Sequence, residues 1–179
     1  GGATPGEDAK PWSEEEEETE LSSNQGAEYR GLGARSNYLA TDRPDIQFST
    51  KEVCRGMAKP TEADKKRLKR LGKFLVGHPR VIQEFRWQGA VEEVSGYSDS
   101  DWAGCRRTAK STSGGAMMVG EHCIKTWSTT QKNVTLSSGE AELVAAVKMC
   151  AEVLGVIQMA KDWGFEKIGR IYVDSTAAI

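Results

Sequence analysis

After residue 90, the chain contains short segments in which apolar and polar residues alternate, together with one long apolar segment. The order of these segments constrains the fold of this chain most strongly. Alternating apolar and polar residues, broken by turn residues, predict strands. Strands are predicted at residues 91–99, Gly115–Gly120, Cys123–Ser128 and Ile168–Asp174, with a helix at Ser138–Trp163. A hairpin is predicted at Gly120-Glu121-His122. Three consecutive strands, one long helix and a further strand predict an α/β layer fold, with the helix packed on the sheet.

The long helix has terminal signals and an apolar repeat. Ser137 and Glu140 have the spacing of a capping box, and Gly164 is suited to the C-terminal end. Apolar residues recur at intervals of four and three, which predicts one buried stripe. That stripe consists of Leu143, Val147, Cys150, Leu154 and Ile157.

Charge divides the chain into an acidic start and a basic remainder. Residues 1–28 contain nine acidic residues and one base, Lys10, so this part carries a net charge of −8. The total is −2, and the other residues therefore carry +6. Residues 1–26 are predicted to be a disordered acidic linker, because their composition cannot bury enough apolar surface to offset the ordering entropy. Three short helices are predicted within residues 27–89, the first at Ala27–Leu39.

The third of these helices is rich in cations. Thr61 is a suitable N-cap, and Leu68, Leu71 and Leu75 form its apolar stripe. Its other faces carry Lys65, Lys66, Arg67, Lys69, Arg70 and Lys73. Such a face can follow a phosphate backbone, with Lys65, Lys66, Lys69, Arg70 and Lys73 as the candidate contacts, or it can be an ordinary solvated face. The sequence leaves both interpretations open.

Three acidic residues are predicted to lie at the ends of three different elements. Asp99 lies at the end of the first strand, Glu142 at the start of the long helix and Asp174 at the end of the fourth strand. Carboxylates gathered in this way form the oxygen sites that hard cations such as Mg²⁺ prefer. The pattern therefore favours phosphodiester chemistry.

Cysteine and apolar patterns point to an intracellular protein. The four cysteines form no C-x-x-C pair, which favours free thiols over structural zinc. No apolar run was found that approaches the roughly 18 residues of a membrane span. We therefore expect a soluble chain in the cytoplasm, the nucleus or both, without a membrane partner.

Several ordered motifs resemble one family. Residues 97–104 read YSDSDWAG, residues 110–114 read KSTSG and residues 136–142 read LSSGEAE. In this order they resemble the ribonuclease H region of copia-type LTR retrotransposon Pol polyproteins. Upstream, YRGL at 29–32, NYL at 37–39 and TDRPDI at 41–46 resemble the stretch that joins the polymerase to that region. The resemblance covers residues 27–179.

The resemblance implies an RNase H-like mixed sheet of three antiparallel strands, a long helix and a parallel fourth strand. It implies cleavage of the RNA strand of RNA–DNA hybrids during reverse transcription, with two ions of Mg²⁺ or Mn²⁺ as cofactors. Asp99 would bridge both ions, Glu142 would hold one and Asp174 the other. Asp99 is preferred to Asp101 because it lies within the predicted strand, and Glu142 is preferred to Glu140. Candidate substrate contacts are Ser98, Arg106, Arg107, Lys110, Ser138 and Ser175.

The sequence and the resemblance together divide the chain into three predicted regions: a linker at 1–26, a helical segment similar to the polymerase thumb or connection at 27–89, and an RNase H-like domain at 90–179. The family's fourth carboxylate lies in a later helix, so the resemblance implies a domain that is incomplete at its C-terminus. The expected partners are an RNA–DNA hybrid and the rest of the Pol polyprotein, with the polymerase upstream. The alternative is a non-catalytic nucleic-acid-binding or scaffolding remnant of a retroelement, in which the basic helix matters and the carboxylates are relics.

Overall fold

The computed structural model describes residues 4–6, 19–105 and 108–174. The chain divides into two compact units, Gly1–Ile82 and Gln83–Ile179, which we call the helical unit and the sheet unit. Each unit has a hydrophobic core of its own.

Within residues 4–6 and 19–82, the helical unit contains three α-helices and a short 3₁₀ turn. Their bounds are α1 at Ser23–Leu39, the 3₁₀ turn at Pro44–Ile46, α2 at Gln47–Arg55 and α3 at Glu62–Gly77. The core is formed by Tyr29, Ala40, Ile46, Val53, Leu71 and Phe74. The Tyr29 hydroxyl donates a hydrogen bond to the Val53 carbonyl, which satisfies a buried polar group between α1 and α2.

Helix α1 begins four residues earlier than the sequence predicted. Ser22 is its N-cap: the Ser22 hydroxyl accepts from the Gln25 backbone N–H, and the Gln25 side chain accepts in return from the Ser22 N–H. Just before it, the Leu21 N–H donates to the Pro60 carbonyl at 2.9 Å. Residues 19–26 are therefore ordered by backbone contacts, although they fell within the predicted disordered linker. The linker residues 1–3 and 7–18 lie outside the described residues.

The start of α3 is as predicted. The Thr61 hydroxyl accepts from the Asp64 N–H, and Asp64 accepts from the Thr61 N–H at 3.1 Å. This reciprocal pair satisfies two donors at the end of the helix. Leu71 and Phe74 are buried, whereas Leu68 and Leu75 pack against the core only partly.

The described residues of the sheet unit form four strands in the order β3-β2-β1-β4. Their bounds are β1 at Glu93–Asp101, β2 at Thr112–Val119, β3 at His122–Thr130 and β4 at Ile168–Tyr172. Strand β2 is antiparallel to both β1 and β3, and β4 is parallel to β1. The turn between β2 and β3 contains Gly120 at φ +59, a conformation that glycine adopts without a steric penalty. The predicted mixed sheet is confirmed, and the fold is RNase H-like.

The long helix α4 spans Ser138–Asp162 and packs on one face of this sheet. Met149 and Val153 of α4 join Val94 and Met117 of the strands in the core. The predicted buried stripe is wrong at four of its five positions: Leu143, Val147 and Leu154 are 51%, 61% and 64% exposed, and Cys150 is exposed, whereas Ile157 packs against the core. The residues that α4 buries are Ala141, Glu142, Ala145, Met149, Val153 and Ala160. The packed face carries small alanines, so the largest apolar residues did not identify it.

Helix α4 is also the one helix among the described residues that is long and apolar enough to cross a membrane by length and composition. The sequence reading had found no run of that length. One face of α4 packs on the sheet, and 22% of its apolar window is buried within the protein.

Candidate metal centre

Three carboxylates from three elements meet at one end of the sheet. Asp99 lies on β1, Glu142 in the first turns of α4 and Asp174 two residues beyond β4. One ligand oxygen from each lies within 4.8 Å of the others. Asp99 and Asp174 are exposed and Glu142 is buried. These are the three acids that the sequence singled out as metal ligands.

The parallel pairing of β1 with β4 brings the two aspartates together. Tyr97 lies opposite Tyr172 in the register, and Asp99 and Asp174 each follow two residues later. The two chains run in the same direction, so equal steps along them end at the same edge of the sheet.

The cap of α4 separates the roles of its two glutamates. The Ser137 hydroxyl accepts from the Glu140 N–H at 3.1 Å, while the Glu140 carboxylate accepts from the Leu136 N–H at 2.7 Å. The predicted cap is present, but the Glu140 side chain bonds Leu136 rather than Ser137. Glu140 is thus engaged at the cap, and Glu142 is the helix carboxylate that reaches β1.

Asp101 also lies within β1, which is longer than predicted. Its Oδ1 accepts from the Thr112 backbone N–H across the β1–β2 pair. The carboxylate is therefore used to hold the two strands together. The choice of Asp99 agrees with this geometry, although the original reason for it does not hold.

Glu142 has one satisfied and one unsatisfied oxygen. Its Oε1 accepts from the Ser100 backbone N–H at 3.2 Å and from the Ser100 hydroxyl at 3.1 Å. Its Oε2 is buried and has no hydrogen-bond partner within the described part of the chain. A buried carboxylate oxygen is costly to leave unpaired. A cation beside Asp99 and Asp174 would satisfy it.

The donor set fits a hard divalent cation. All three ligand atoms are carboxylate oxygens, and oxygen-only sites suit Mg²⁺ and Mn²⁺ rather than zinc or copper. Three carboxylates this close repel one another, and a divalent ion would neutralise that repulsion. The residues present therefore fit the metal that the resemblance implies.

The residues predicted to contact the substrate differ in exposure, and three of them are not described by the structure. The Ser98 hydroxyl is enclosed within the protein and has no hydrogen-bond partner among the described residues, so it is not available to a substrate in this conformation. Ser138 is exposed at the first turn of α4, and Lys110 is half-buried. Arg106, Arg107 and Ser175 lie outside the described residues.

The basic helix predicted to contact nucleic acid is α3 of the helical unit. Lys65, Lys66, Lys69 and Lys73 are exposed on it. Arg70 is half-buried instead: its Nε and Nη2 donate to the carbonyl and hydroxyl of Thr4, at 3.3 and 3.1 Å. Four of the five residues predicted to contact the nucleic-acid backbone are thus exposed.

Two features near the carboxylates were missed by sequence reasoning. Ser100 holds Glu142, and the alternation of serines and aspartates along β1 could have indicated it. Tyr97 and Tyr172 stack on each other beside the aspartates, and each precedes one of them by two residues. This shared two-residue spacing between tyrosine and aspartate is the sequence signal that could have indicated the pair.

The fold is an RNase H-like sheet, with three carboxylates clustered at the ends of β1, α4 and β4. The chain is 34% identical over 154 residues to the retrovirus-related Pol polyprotein from transposon RE1 of Arabidopsis thaliana, covering 84% of this chain. It is 32% identical over 153 residues to the corresponding polyprotein from transposon RE2 of the same plant. The chain belongs to the family of copia-like retrovirus-related Pol polyproteins.

The chain spans 10% of the length of these two polyproteins. It is also 30% identical over 123 residues to the secreted RxLR effector protein 161 of Plasmopara viticola, covering 86% of that protein. No family model matches the chain, and no solved structure matches it significantly.

Proposed function

We propose that the sheet unit hydrolyses the RNA strand of RNA–DNA hybrids during reverse transcription, with two ions of Mg²⁺ or Mn²⁺ as cofactors. The observation that carries the proposal is the meeting of Asp99, Glu142 and Asp174, with ligand oxygens within 4.8 Å of one another. The buried Oε2 of Glu142, which has no hydrogen-bond partner among the described residues, also supports it.

The chain's own residues would hold and orient the reacting groups. Asp99, Glu142 and Asp174 would hold the ions through their carboxylate oxygens. Bound there, two divalent ions would supply an activated water and neutralise the leaving oxygen of the cleaved phosphodiester. Ser100 would fix the Glu142 carboxylate through its two hydrogen bonds to Oε1. The exposed Ser138 is the candidate for contact with the substrate strand.

The test is cleavage of an end-labelled RNA–DNA hybrid in Mg²⁺ or Mn²⁺. We expect Asp99→Asn to abolish cleavage, because it removes a charged ligand of the cluster. Asp101→Asn is the matched control, since an asparagine oxygen can still accept from the Thr112 N–H. Equal cleavage by wild type and Asp99→Asn would contradict the proposal, as would cleavage that persists in excess chelator.

The exposed lysines of α3 favour a second candidate function, nucleic-acid binding without catalysis. Four of them cover the surface of that helix, and each phosphate contact would add a salt-dependent increment of affinity. Hybrid binding that weakens with salt, is unchanged in Asp99→Asn and is accompanied by no cleavage would favour this candidate.

A further inference from the structure

Gln131 is a buried polar residue that connects three elements of the sheet unit. It follows the last residue of β3 directly. Its backbone N–H donates to the carbonyl of Ser111, the residue before β2, at 2.8 Å. Its side-chain Nε2 donates to the Ser113 hydroxyl at 3.0 Å and to the Ala141 carbonyl at 2.9 Å. One residue therefore joins the end of β3 to β2 and to α4.

The two side-chain bonds of Gln131 use both hydrogens of its amide nitrogen. The Ala141 carbonyl can only accept, so the nitrogen end of the amide must face α4. The other end, Oε1, is buried and has no hydrogen-bond partner among the described residues. An apolar residue of similar length would avoid the cost of burying this oxygen. The two donor bonds are therefore what this position gains from a glutamine.

The first of these bonds acts on the residue immediately before Glu142. Ala141 lies in the first turns of α4 and is buried. Its carbonyl belongs to the peptide group that it shares with Glu142, and a peptide group is planar. Holding the Ala141 carbonyl therefore fixes the orientation of the backbone from which the Glu142 side chain projects.

The second bond acts beside the residue that holds the Glu142 carboxylate. Ser113 lies opposite Ser100 in the register of β1 with β2. Directly opposed residues of an antiparallel pair have their side chains on the same face and are close neighbours. Ser100 donates to Glu142 Oε1 from its backbone N–H and its hydroxyl. Gln131 thus supports Glu142 at its backbone and at the strand pair that its carboxylate contacts.

Together these contacts form a closed set around Glu142, which we call the Gln131 network. Its members are Gln131, Ser113, Ser100, Glu142 and Ala141. Four of the five are buried within the sheet unit, and Ser100 is half-buried. The contacts are internal to the unit, so they do not depend on what covers its surface.

The network holds Glu142 where its charge is unfavourable without a cation. The ligand oxygens of Asp99, Glu142 and Asp174 lie within 4.8 Å of one another, and like charges at this distance repel. A ligand that is already fixed loses less conformational freedom when an ion binds. Fixing Glu142 in advance should therefore increase the affinity of the site for a divalent ion.

We propose that Gln131 is a positioning residue for the metal centre, acting through the Ala141 carbonyl and Ser113 to hold Glu142 in place. The inference rests on the proposed function, because it concerns the same site. Gln131 is neither a ligand nor a substrate contact in this proposal. A residue that only stabilised the fold would affect metal binding no more than any other core residue of the sheet unit.

The test measures Mn²⁺ affinity of the full chain from the EPR signal of the unbound ion, without substrate. Gln131→Met keeps the length of the side chain and removes both donors. We expect it to bind Mn²⁺ on the order of 10- to 100-fold more weakly than wild type. Asp99→Asn should lose this binding and so locates the measured ion at the carboxylate cluster.

Met149→Ala is the matched control for loss of stability. Met149 packs between α4 and the sheet and is not part of the Gln131 network. This variant should be less stable than wild type in urea but should bind Mn²⁺ with wild-type affinity. An equal loss of affinity in Met149→Ala and Gln131→Met would assign Gln131 a general structural role and overturn the proposal. Equal affinity of wild type and Gln131→Met would also overturn it.

A double substitution tests whether Gln131 and Ser100 act through the same carboxylate. The losses of affinity in Gln131→Met and Ser100→Ala should not add in the combined variant, because both loosen Glu142. If Gln131→Met does not fold, Ser113→Ala removes one of its two acceptors and keeps the amide. It should still weaken Mn²⁺ binding, and unchanged affinity in Ser113→Ala would refute the positioning role.

The proposed function and the positioning role fail in distinguishable ways. Mn²⁺ binding that requires Asp99 but is unchanged in Gln131→Met would retain the metal centre and reject the role of Gln131. Binding that requires both residues, without cleavage of any hybrid, would retain the role of Gln131 and reject the nuclease. Absence of Asp99-dependent binding in wild type would reject both.

Discussion

The Glu142 carboxylate is held to the end of β1 by both polar groups of Ser100. The backbone N–H and the hydroxyl of Ser100 donate to the same oxygen, at 3.2 and 3.1 Å. Ser100 is the neighbour of Asp99 in sequence, so this contact fixes the helix carboxylate relative to the strand carboxylate. The second Glu142 oxygen is buried and, among the described residues, has no hydrogen-bond partner that would compete with a cation.

Ser100→Ala should therefore loosen the proposed metal centre without removing a ligand. Groups that orient metal ligands typically contribute 10- to 100-fold in affinity or activity. Because the backbone N–H remains, we expect about a 10-fold increase in the Mg²⁺ concentration that gives half-maximal hybrid cleavage. Ser95→Ala is the matched control on the same strand, since the Ser95 hydroxyl contacts Glu93 instead. A magnesium dependence unchanged in Ser100→Ala would contradict this role.

The repulsion among Asp99, Glu142 and Asp174 gives a second prediction, which concerns thermal stability and can be tested without an activity assay. A cation that binds only the folded state stabilises it by mass action. We expect Mg²⁺ to raise the thermal midpoint of the wild-type sheet unit relative to chelator. In Asp99→Asn, the midpoint in chelator should be equal or higher, and the increment caused by Mg²⁺ should be smaller.

Asp162→Asn is the control for that experiment, because Asp162 is an exposed carboxylate whose hydrogen-bond partner is Gln158 on α4. It should retain the full magnesium increment. An increment of the same size in Asp99→Asn would place the stabilising ion elsewhere on the protein.

The strands, their directions and the positions of the carboxylates could be predicted from sequence, whereas the packed face of α4 could not. Alternation and turn residues indicate strands locally, and the resemblance supplied their order. Apolar residues surround much of α4, so periodicity alone did not distinguish Leu154 from Val153. Ala141 and Ala145 are fully packed because small side chains let the helix approach the sheet closely. The stacking of Tyr97 on Tyr172 depends on the β1–β4 register, which no local pattern reveals.

The buried face of α4 seen in the structure predicts that two substitutions to alanine on this helix lower the free energy of unfolding by unequal amounts. Met149 is fully buried in the sheet-unit core, whereas Leu154 is largely exposed. Met149→Ala should lower the free energy of unfolding by about 2–5 kcal/mol through lost burial and a cavity. Leu154→Ala should change it by less than about 0.5 kcal/mol. Urea unfolding of the two variants checks this prediction. A larger loss of stability in Leu154→Ala than in Met149→Ala would support the buried stripe predicted from periodicity instead.

The ion pair of Arg43 with Asp45 gives the helical unit a predictable response to acid. Arg43 Nε and Nη2 donate to the two Asp45 oxygens at 2.9 and 2.8 Å, and Nη2 also donates to the His78 carbonyl. The hydrogen bond from Arg43 holds the pKa of Asp45 below its ordinary value of 3.8. The pair therefore contributes its full stability above that value and loses it as pH falls through the lower pKa of the folded state.

Asp45→Asn should remove this contribution. Arg43 is buried and would keep only part of its hydrogen bonding. We expect a loss of about 1–3 kcal/mol near neutral pH. The difference from wild type should shrink below about pH 3.8, where the wild-type carboxylate begins to gain its proton. Hydrogen exchange of amides in α2 and α3 measures the helical unit by itself. Asp42→Asn is the neighbouring exposed control, and a difference that stays constant with pH would show that the charge of Asp45 is not what stabilises this unit.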